Sequence, residues 1–380
     1  MNIIAFILGV TLIVIILGDS FETIVLPRRV TRRVRLARLF FRSAWQSWSA
    51  IARIIIPRKS RDTFLGFFGP LSVIILILLW ATGLIMGFAL MHWAFTTILK
   101  GHEGVADFGS YVYLSGTTFF TLGLGDVVPY TALGRGLVAF EAGLGLGFLA
   151  LIISYLPLLN QSFARREIAV ALLDSHAGSP PTAAEMLRRH IHQGKTEELN
   201  RHFQEWERWS AELLESLLSY PVLAFFRSHH DNQSWLGSLT AMLDACSFIL
   251  ASTESIRNDQ AQFSFAMTRH TIVDLAQIFN CPPLSPTPDR LPRSKLEHIY
   301  SLLSTTGLEL SKIDILEQNL IRLRQMYEPY VYSLSKYLHI TLPPWVSETG
   351  HKDNWQISPW RFTEGVQKGT YLEHDGDGHF

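Results

Sequence analysis

Apolar residues fall unevenly along the chain: before residue 160 they run almost unbroken, and after it they recur at helical spacing among charges. Three early runs have the composition of membrane spans. Ile3 to Leu17 is apolar apart from Thr11 and glycine. It sits at the short end of the roughly 17–25 residues that cross a bilayer, with Asp19 and Glu22 expected at an interface. No basic stretch precedes it and no small-x-small cleavage site follows, so a retained anchor helix is favoured over a signal peptide. Phe64 to Phe95 lies in an uncharged run from Thr63 to Ile98, and Leu71 to Leu90 alone is long enough to span. Trp80, His92 and Trp93 fall where an interfacial belt would lie, Trp80 nearer the middle. Leu133 to Leu159 is apolar except for Arg135 and Glu141. Between the second and third runs, Phe108 to Phe120 is too short to span and suits a re-entrant helix.

Beyond Gln161 the pattern predicts helices over Thr182–Gln193, Glu197–Leu218, Ser234–Ser255, Asp259–Phe279, Ser294–Ser304 and Leu308–Leu338, where apolar positions recur every three or four residues. Ser179-Pro180-Pro181, Tyr220-Pro221 and the proline-rich stretch Cys281 to Pro288 separate them. No alternating strand pattern is evident. The fold class is therefore an all-α membrane protein with an all-α second domain. The expected divisions are an anchor (1–26), a basic interfacial segment (27–62), a pore-type domain (63–160), a helical domain (161–344) and a flexible tail (345–380).

Composition adds orientation. Hydrophobic residues make up 48% and formal net charge is zero, so no global case for nucleic-acid binding exists. Between Pro27 and Asp62 every charged residue is basic, from Arg28, Arg29, Arg32 and Arg33 to Arg58, Lys59 and Arg61, and Arg165-Arg166 follow the third run. The positive-inside rule places both flanks in the cytoplasm. The N-terminus and the Lys100–Asp107 loop then lie outside. Leu36, Leu39, Phe40, Trp45, Trp48 and Ile51 interleave with the arginines, the pattern of a basic amphipathic helix on a leaflet with anionic headgroups. No spaced arginine series lies inside an apolar run, which argues against a voltage sensor.

The candidate chemistry is in Gly116-Thr-Thr-Phe-Phe-Thr-Leu-Gly-Leu-Gly-Asp126. A cation in a narrow pore needs its water replaced by rings of backbone carbonyls. A strand turns successive carbonyls one way by alternating ordinary and left-handed conformations, which Gly123 and Gly125 adopt without a Cβ penalty. Thr121-Leu-Gly-Leu-Gly-Asp126 resembles the filter signature Thr-Val-Gly-Tyr-Gly-Asp of the potassium channel superfamily. The resemblance covers residues 63–160. It implies that the carbonyls of Thr121, Leu122, Gly123, Leu124 and Gly125 bind K+, that Asp126 braces the filter, and that three identical subunits complete a four-fold pore, since this chain holds one such motif. It implies no other cofactor or metal. Leu122 replaces Val; Leu124 replaces Tyr and removes a hydroxyl that ties such filters to their surroundings.

Gly143, Gly145 and Gly147 are candidates for a gating bend or for close helix packing. Leu149 and Ile153, with Leu146, are candidate cavity residues, and Pro157 is expected to kink or end the helix. Glu141, the one acid in this run, is expected to face the pore helix and bond Thr117 or Thr118. His190-Ile-His192 and His229-His230-Asp231 have nonspecific spacing and read as surface histidines; Asp375-Gly-Asp377-Gly lacks the later glutamate of a calcium loop. Cys246 and Cys281 read as free thiols. No nucleophile–base constellation points to an enzyme. The functional expectation is a potassium channel of a bacterial inner membrane, gated through the helical domain. The alternatives are a weakly selective sodium/potassium channel and a non-conducting receptor or scaffold.

Overall fold

The computed structural model describes residues 2–26, 36–57, 60–100, 106–191, 196–229, 232–252, 258–347, 360–361 and 373–374. The described chain is mostly helical and divides into two compact units, Met1–Ser162 with Leu218–Phe226, and Phe163–Leu217 with Arg227–Phe380.

In the first unit, α1 (Ile3–Ile24) packs along α4 (Phe68–Ala94). The Asn2 amide donates to the Ala94 carbonyl, so the start of α1 meets the end of α4 and the two run antiparallel. Small residues permit the approach: a Cβ on Gly9 would lie 2.7 Å from the Gly87 carbonyl oxygen, as expected where membrane helices pack through glycine. Between them come α2 (Leu36–Ile54) and the short α3 (Arg61–Gly66). Asp19, expected at an interface, is buried: it accepts from the Trp80 indole (2.9 Å) and from the Ala37 amide in the first turn of α2 (3.0 Å). Trp80 is correspondingly part of the core rather than of an aromatic belt.

The α2 helix buries Ala37, Trp45, Ser49 and Ala52 and exposes Arg38, Arg42 and Arg53 beside Leu39 and Ile54. Arg28, Arg29, Arg32, Arg33, Arg35, Arg58 and Lys59, part of the expected basic segment, lie outside the described residues. The segment Leu218–Phe226 belongs to this unit although sequence placed it in the helical domain. Its 3-10 turn, Pro221–Phe225, brings Phe225 against Trp45 and Phe68, and Tyr220 lies beside Tyr155.

A two-residue strand β1 (Leu99–Lys100) pairs antiparallel with β2 (Val128–Pro129), either side of α5 (Phe108–Phe119). Then α6 runs from Ala132 to Ala177, straight past Pro157. Of the two outcomes expected at Pro157, a kink or an end, the end is not met: proline removes one amide donor, and the neighbouring turns carry the helix on.

The second unit is a helical bundle: the end of α6, α7 (Ala183–His190), α8 (Glu197–Ser219), α9 (Trp235–Ser252), α10 (Asp259–Ile278), α11 (Arg293–Ser304), α12 (Ile313–Gln325) and α13 (Glu328–Leu338). The single helix expected over Leu308–Leu338 is two, broken at Met326–Tyr327 with Pro329 in the first turn of α13, where its missing amide costs nothing. At the centre lies α9, touched by α7, α10, α12 and α13. It is buried almost all round, and its one charged residue is Asp244, whose carboxylate is fully buried and receives Arg290 at 2.6 Å and the Tyr327 hydroxyl at 2.5 Å. Trp345, expected to open a flexible tail, is fully buried, and its carbonyl accepts from the Ala184 amide. Cys246 and Cys281 are buried free thiols. Among residues 348–380, only the pair β3 (Trp360–Arg361) and β4 (Glu373–His374) is described; Asp375 to Gly378 lie outside the described residues.

Candidate ion pathway

The site is built on α5. Asp107 caps its first turn, accepting from the Ser110 amide at 2.9 Å, and the helix stops at Phe119 after twelve residues. Its last carbonyls point onward rather than to solvent: Thr118 O accepts from the Thr121 amide (2.9 Å) and Thr117 O from the Leu122 amide (2.8 Å). The chain then reverses through Thr121 to Asp126 and is held again where the Tyr130 amide donates to the Ile98 carbonyl beside the β1–β2 pair. The loop is thus pinned at both ends by backbone hydrogen bonds.

Between these pins, left-handed residues alternate with ordinary ones. Thr121, Gly123 and Gly125 have φ of +55°, +57° and +78°, and Leu122 and Leu124 between them do not. For glycine this conformation is free; for a β-branched threonine it is an outlier, costing roughly 1–2 kcal/mol. Such strain persists only where surroundings impose it and clusters at functional sites. The glycine pair was legible in sequence; the left-handed Thr121 was not. Leu122 and Leu124 are 62% and 64% exposed on the single chain.

Asp126 stands at the far end of the loop. Its Oδ2 accepts from the Tyr113 hydroxyl at 2.6 Å and its Oδ1 from the Val127 amide at 3.0 Å. Tyr113 lies on α5, so an aromatic hydroxyl does tie the loop to the short helix, although it comes from a position that sequence did not single out.

Glu141 on α6 is fully buried. Its Oε1 contacts the Ser115 hydroxyl on α5, and its Oε2 lies 3.6 Å from His92 Nε2 on α4, beyond hydrogen-bond reach but within that of an ion pair. Ser115 Oγ is also 2.8 Å from the Ile85 carbonyl. The partners expected for Glu141, Thr117 and Thr118, are therefore replaced by Ser115 and His92; the Thr117 hydroxyl instead donates back to Tyr113 or Leu114 carbonyls within α5. His92, expected at an interface, is fully buried and also meets Thr97 at 3.4 Å. The result is a polar tie among α4, α5 and α6 just behind the loop.

The three glycines of α6 separate by environment. A Cβ on Gly145 would fall 2.1 Å from the Phe119 carbonyl oxygen, at the end of α5; around Gly143 and Gly147 nothing lies within 4 Å. Leu146, Leu149 and Ile153 are 61%, 51% and 64% exposed, and Pro157 is exposed as well. One side of α6 thus grips α5, and the other presents apolar residues with no cover from the chain itself.

Outside this region, His229 stacks edge-on to Phe163, while His192, His230 and Asp231 lie outside the described residues. His190, read as a surface histidine, is buried.

No curated protein and no solved structure matches the chain. Residues 73–158, from α4 through α5 and the glycine loop into α6, match the family model described as "Ion channel". That match supports an ion-channel domain in a membrane protein.

Proposed function

We propose that the chain is one subunit of a homotetrameric, potassium-selective channel that conducts K+ passively through four copies of the Thr121–Gly125 strand. The observation that carries this reading is the alternation of left-handed backbone at Thr121, Gly123 and Gly125. Alternation of this kind turns successive carbonyls toward one side, which is what replacing an ion's hydration shell requires. The carbonyls of Thr121, Leu122, Gly123, Leu124 and Gly125 supply the ligands. The end of α5, Asp126 and the Glu141 tie hold the strand. Irregular backbone at membrane depth is stable only when buried in protein around a cavity, and one exposed strand per chain calls for further copies to enclose it. The inner half of α6, with Leu149, Ile153 and Pro157, lines the cavity beneath.

In the same reading the N-terminus faces out across a bacterial inner membrane. The arginine-rich segment 28–61 lies on anionic lipid headgroups, and the helical unit is cytoplasmic and acts on the gate.

Reconstitution of the purified chain in liposomes tests this. Expected are four-subunit particles, potassium flux, and a bi-ionic reversal potential that favours K+ over Na+. Gly123→Ala and Gly125→Ala should abolish flux in assembled protein, because alanine at positive φ costs roughly 1–2 kcal/mol in every subunit. Equal sodium and potassium permeability would replace potassium selectivity with a weakly selective pore. Intact tetramers without flux at any pH, calcium level or voltage would point to a receptor or scaffold.

A further inference from the structure

Three histidines from three elements of the second unit meet inside it: His176 in the last turn of α6, His190 at the end of α7 and His202 on α8. Their ring centroids are 4.6–5.0 Å apart. One ring nitrogen from each can be chosen so that all three lie within 4.8 Å of one another. His190 and His202 are buried and His176 is partly so.

We infer that His176, His190 and His202 form a binding site for a divalent transition-metal ion of the zinc class.

Three features distinguish this group from histidines that merely fill a core. First, the tautomer of His190 is set. Its Nδ1 lies 2.8 Å from the Met186 carbonyl, which can only accept, so Nδ1 carries the proton and Nε2 presents its lone pair to the other rings. A histidine that ligates a metal through one nitrogen while donating to a backbone carbonyl through the other is the usual arrangement.

Second, the lone pair of His190 Nε2 faces His176 Nδ1 at 3.0 Å. In tetrahedral zinc sites with Zn–N bonds near 2.0–2.1 Å, ligand nitrogens end about 3.3 Å apart. One pair is already within a few tenths of an ångström of that spacing, and all three nitrogens lie within 4.8 Å of one another.

Third, His202 Nε2 is buried without a hydrogen-bond partner. Buried polar atoms are normally satisfied, and one left over beside two further imidazoles is the kind of atom that an ion can satisfy. Glu198 and Glu205 on α8 lie near enough to act on His176, with Arg189 opposing them, so acidic charge is at hand for a dication. Three neutral nitrogens suit zinc, cobalt, nickel or copper rather than magnesium or calcium, which take oxygen, and they leave a fourth position open.

Metal here would fasten α6 to α7 and α8. Because His176 is on the same continuous helix as Gly145 and Ile153, occupancy would bear on the proposed pore-lining segment. That consequence rests on the channel reading; metal binding does not.

The test uses the full chain in detergent, stripped with chelator and titrated with cobalt(II) and then zinc(II). Expected are one cobalt per chain with the d–d absorption of a tetrahedral nitrogen site, displacement by zinc, and a zinc-dependent rise in Tm. His202→Gln and His190→Gln should each weaken zinc binding at least 100-fold. His176→Gln, at the least buried position, should do the same while leaving apo Tm near wild type, so that loss of binding is separable from loss of fold. No saturable cobalt spectrum in folded wild-type protein would overturn the site. So would equal zinc affinity in wild type and all three variants, which would place binding at another group such as His229 and its neighbours.

Discussion

Replacing Gly145 by alanine asks whether the glycines of α6 serve packing or bending. The added Cβ would lie 2.1 Å from the Phe119 carbonyl oxygen, 3.0 Å from its carbon and 3.1 Å from its Cα. All three are backbone atoms, so no side-chain rotation relieves the clash. Restoring ordinary contact at 3.4 Å requires the end of α5 and the middle of α6 to separate by roughly 1.3 Å (3.4 − 2.1), the kind of overpacking that costs about 1–3 kcal/mol. Against this, alanine recovers about 0.5–1 kcal/mol of backbone entropy in a helix interior. The net expectation is a loss of about 1–2 kcal/mol. The displaced residues are neighbours of Thr117 and Thr118, whose carbonyls hold the Thr121 and Leu122 amides, so flux should fall along with stability. Gly143→Ala and Gly147→Ala meet nothing within 4 Å and should stabilise the detergent-purified chain by about 0.5–1 kcal/mol each. Thermal unfolding and liposome flux on the three variants check this. The packing argument fails if Gly145→Ala matches wild type in both assays. A loss of flux at Gly143 or Gly147 without loss of stability would locate a bend there instead.

Glu141→Gln keeps a donor and an acceptor beside Ser115 and should retain flux, whereas Glu141→Ala opens a cavity and strands Ser115 and His92, costing about 2–5 kcal/mol; a large flux loss in assembled Glu141→Gln would assign the carboxylate to the ion path. Tyr113→Phe removes the hydroxyl that donates to Asp126 at 2.6 Å and should lower the potassium-to-sodium permeability ratio; an unchanged ratio would show that the brace has no part in selectivity. Asp244→Ala takes one carboxylate from Arg290, which keeps Glu328 at 3.1 Å, and the acceptor from Tyr327; it should destabilise the second unit by about 1–3 kcal/mol, measured by denaturant unfolding, and a shift under about 0.5 kcal/mol would contradict the network's role. Asp19→Ala removes the acceptor of both Trp80 and the Ala37 amide, and increased protease cleavage between α1 and α2 is the expected readout, with unchanged cleavage the refuting one.

What sequence revealed of this molecule follows the range of the interactions involved. The glycine loop was legible because positive φ is a local demand that glycine meets by itself. The helices of the second unit were legible because a 3.6-residue period is local too; most predicted ends lie within a few residues of those observed. Partners were not legible. Ser115 and His92 find Glu141 only once α4, α5 and α6 are packed, and nothing in their spacing separates Ser115 from Thr117 two residues on. The histidine triad is harder still. His190 was weighed with His192, its neighbour in sequence, whereas its partners in space are fourteen residues before it and twelve after, on other elements. Trp345 was assigned to the tail because the residues after it lack periodicity, yet its own ring is core.

Hydropathy carries a related ambiguity, and burial resolves it. Among the described residues, four helices are long and apolar enough to cross a membrane, α9 and α6 among them. A helix that is apolar all round must be covered, but its sequence does not say by what. In α9 the apolar window is 94% buried within the chain, so its neighbours in the bundle already meet the need that its composition expresses. In α6 the corresponding window is only 17% buried, while the one acid of its apolar run Leu133 to Leu159, Glu141, is fully buried against α4 and α5. The polar side of this helix has therefore been satisfied and its apolar side has not. Leucine and isoleucine so disposed are stable against lipid or against further copies of the same surface. The exposed backbone of the Thr121–Gly125 loop narrows the choice: lipid tails offer it no hydrogen bonds, so that face needs protein or an ion-filled cavity. Four copies that close around the loop while turning α1 and α4 to lipid meet both requirements at once, which is why the subunit count is the measurement on which the proposed pathway most directly depends.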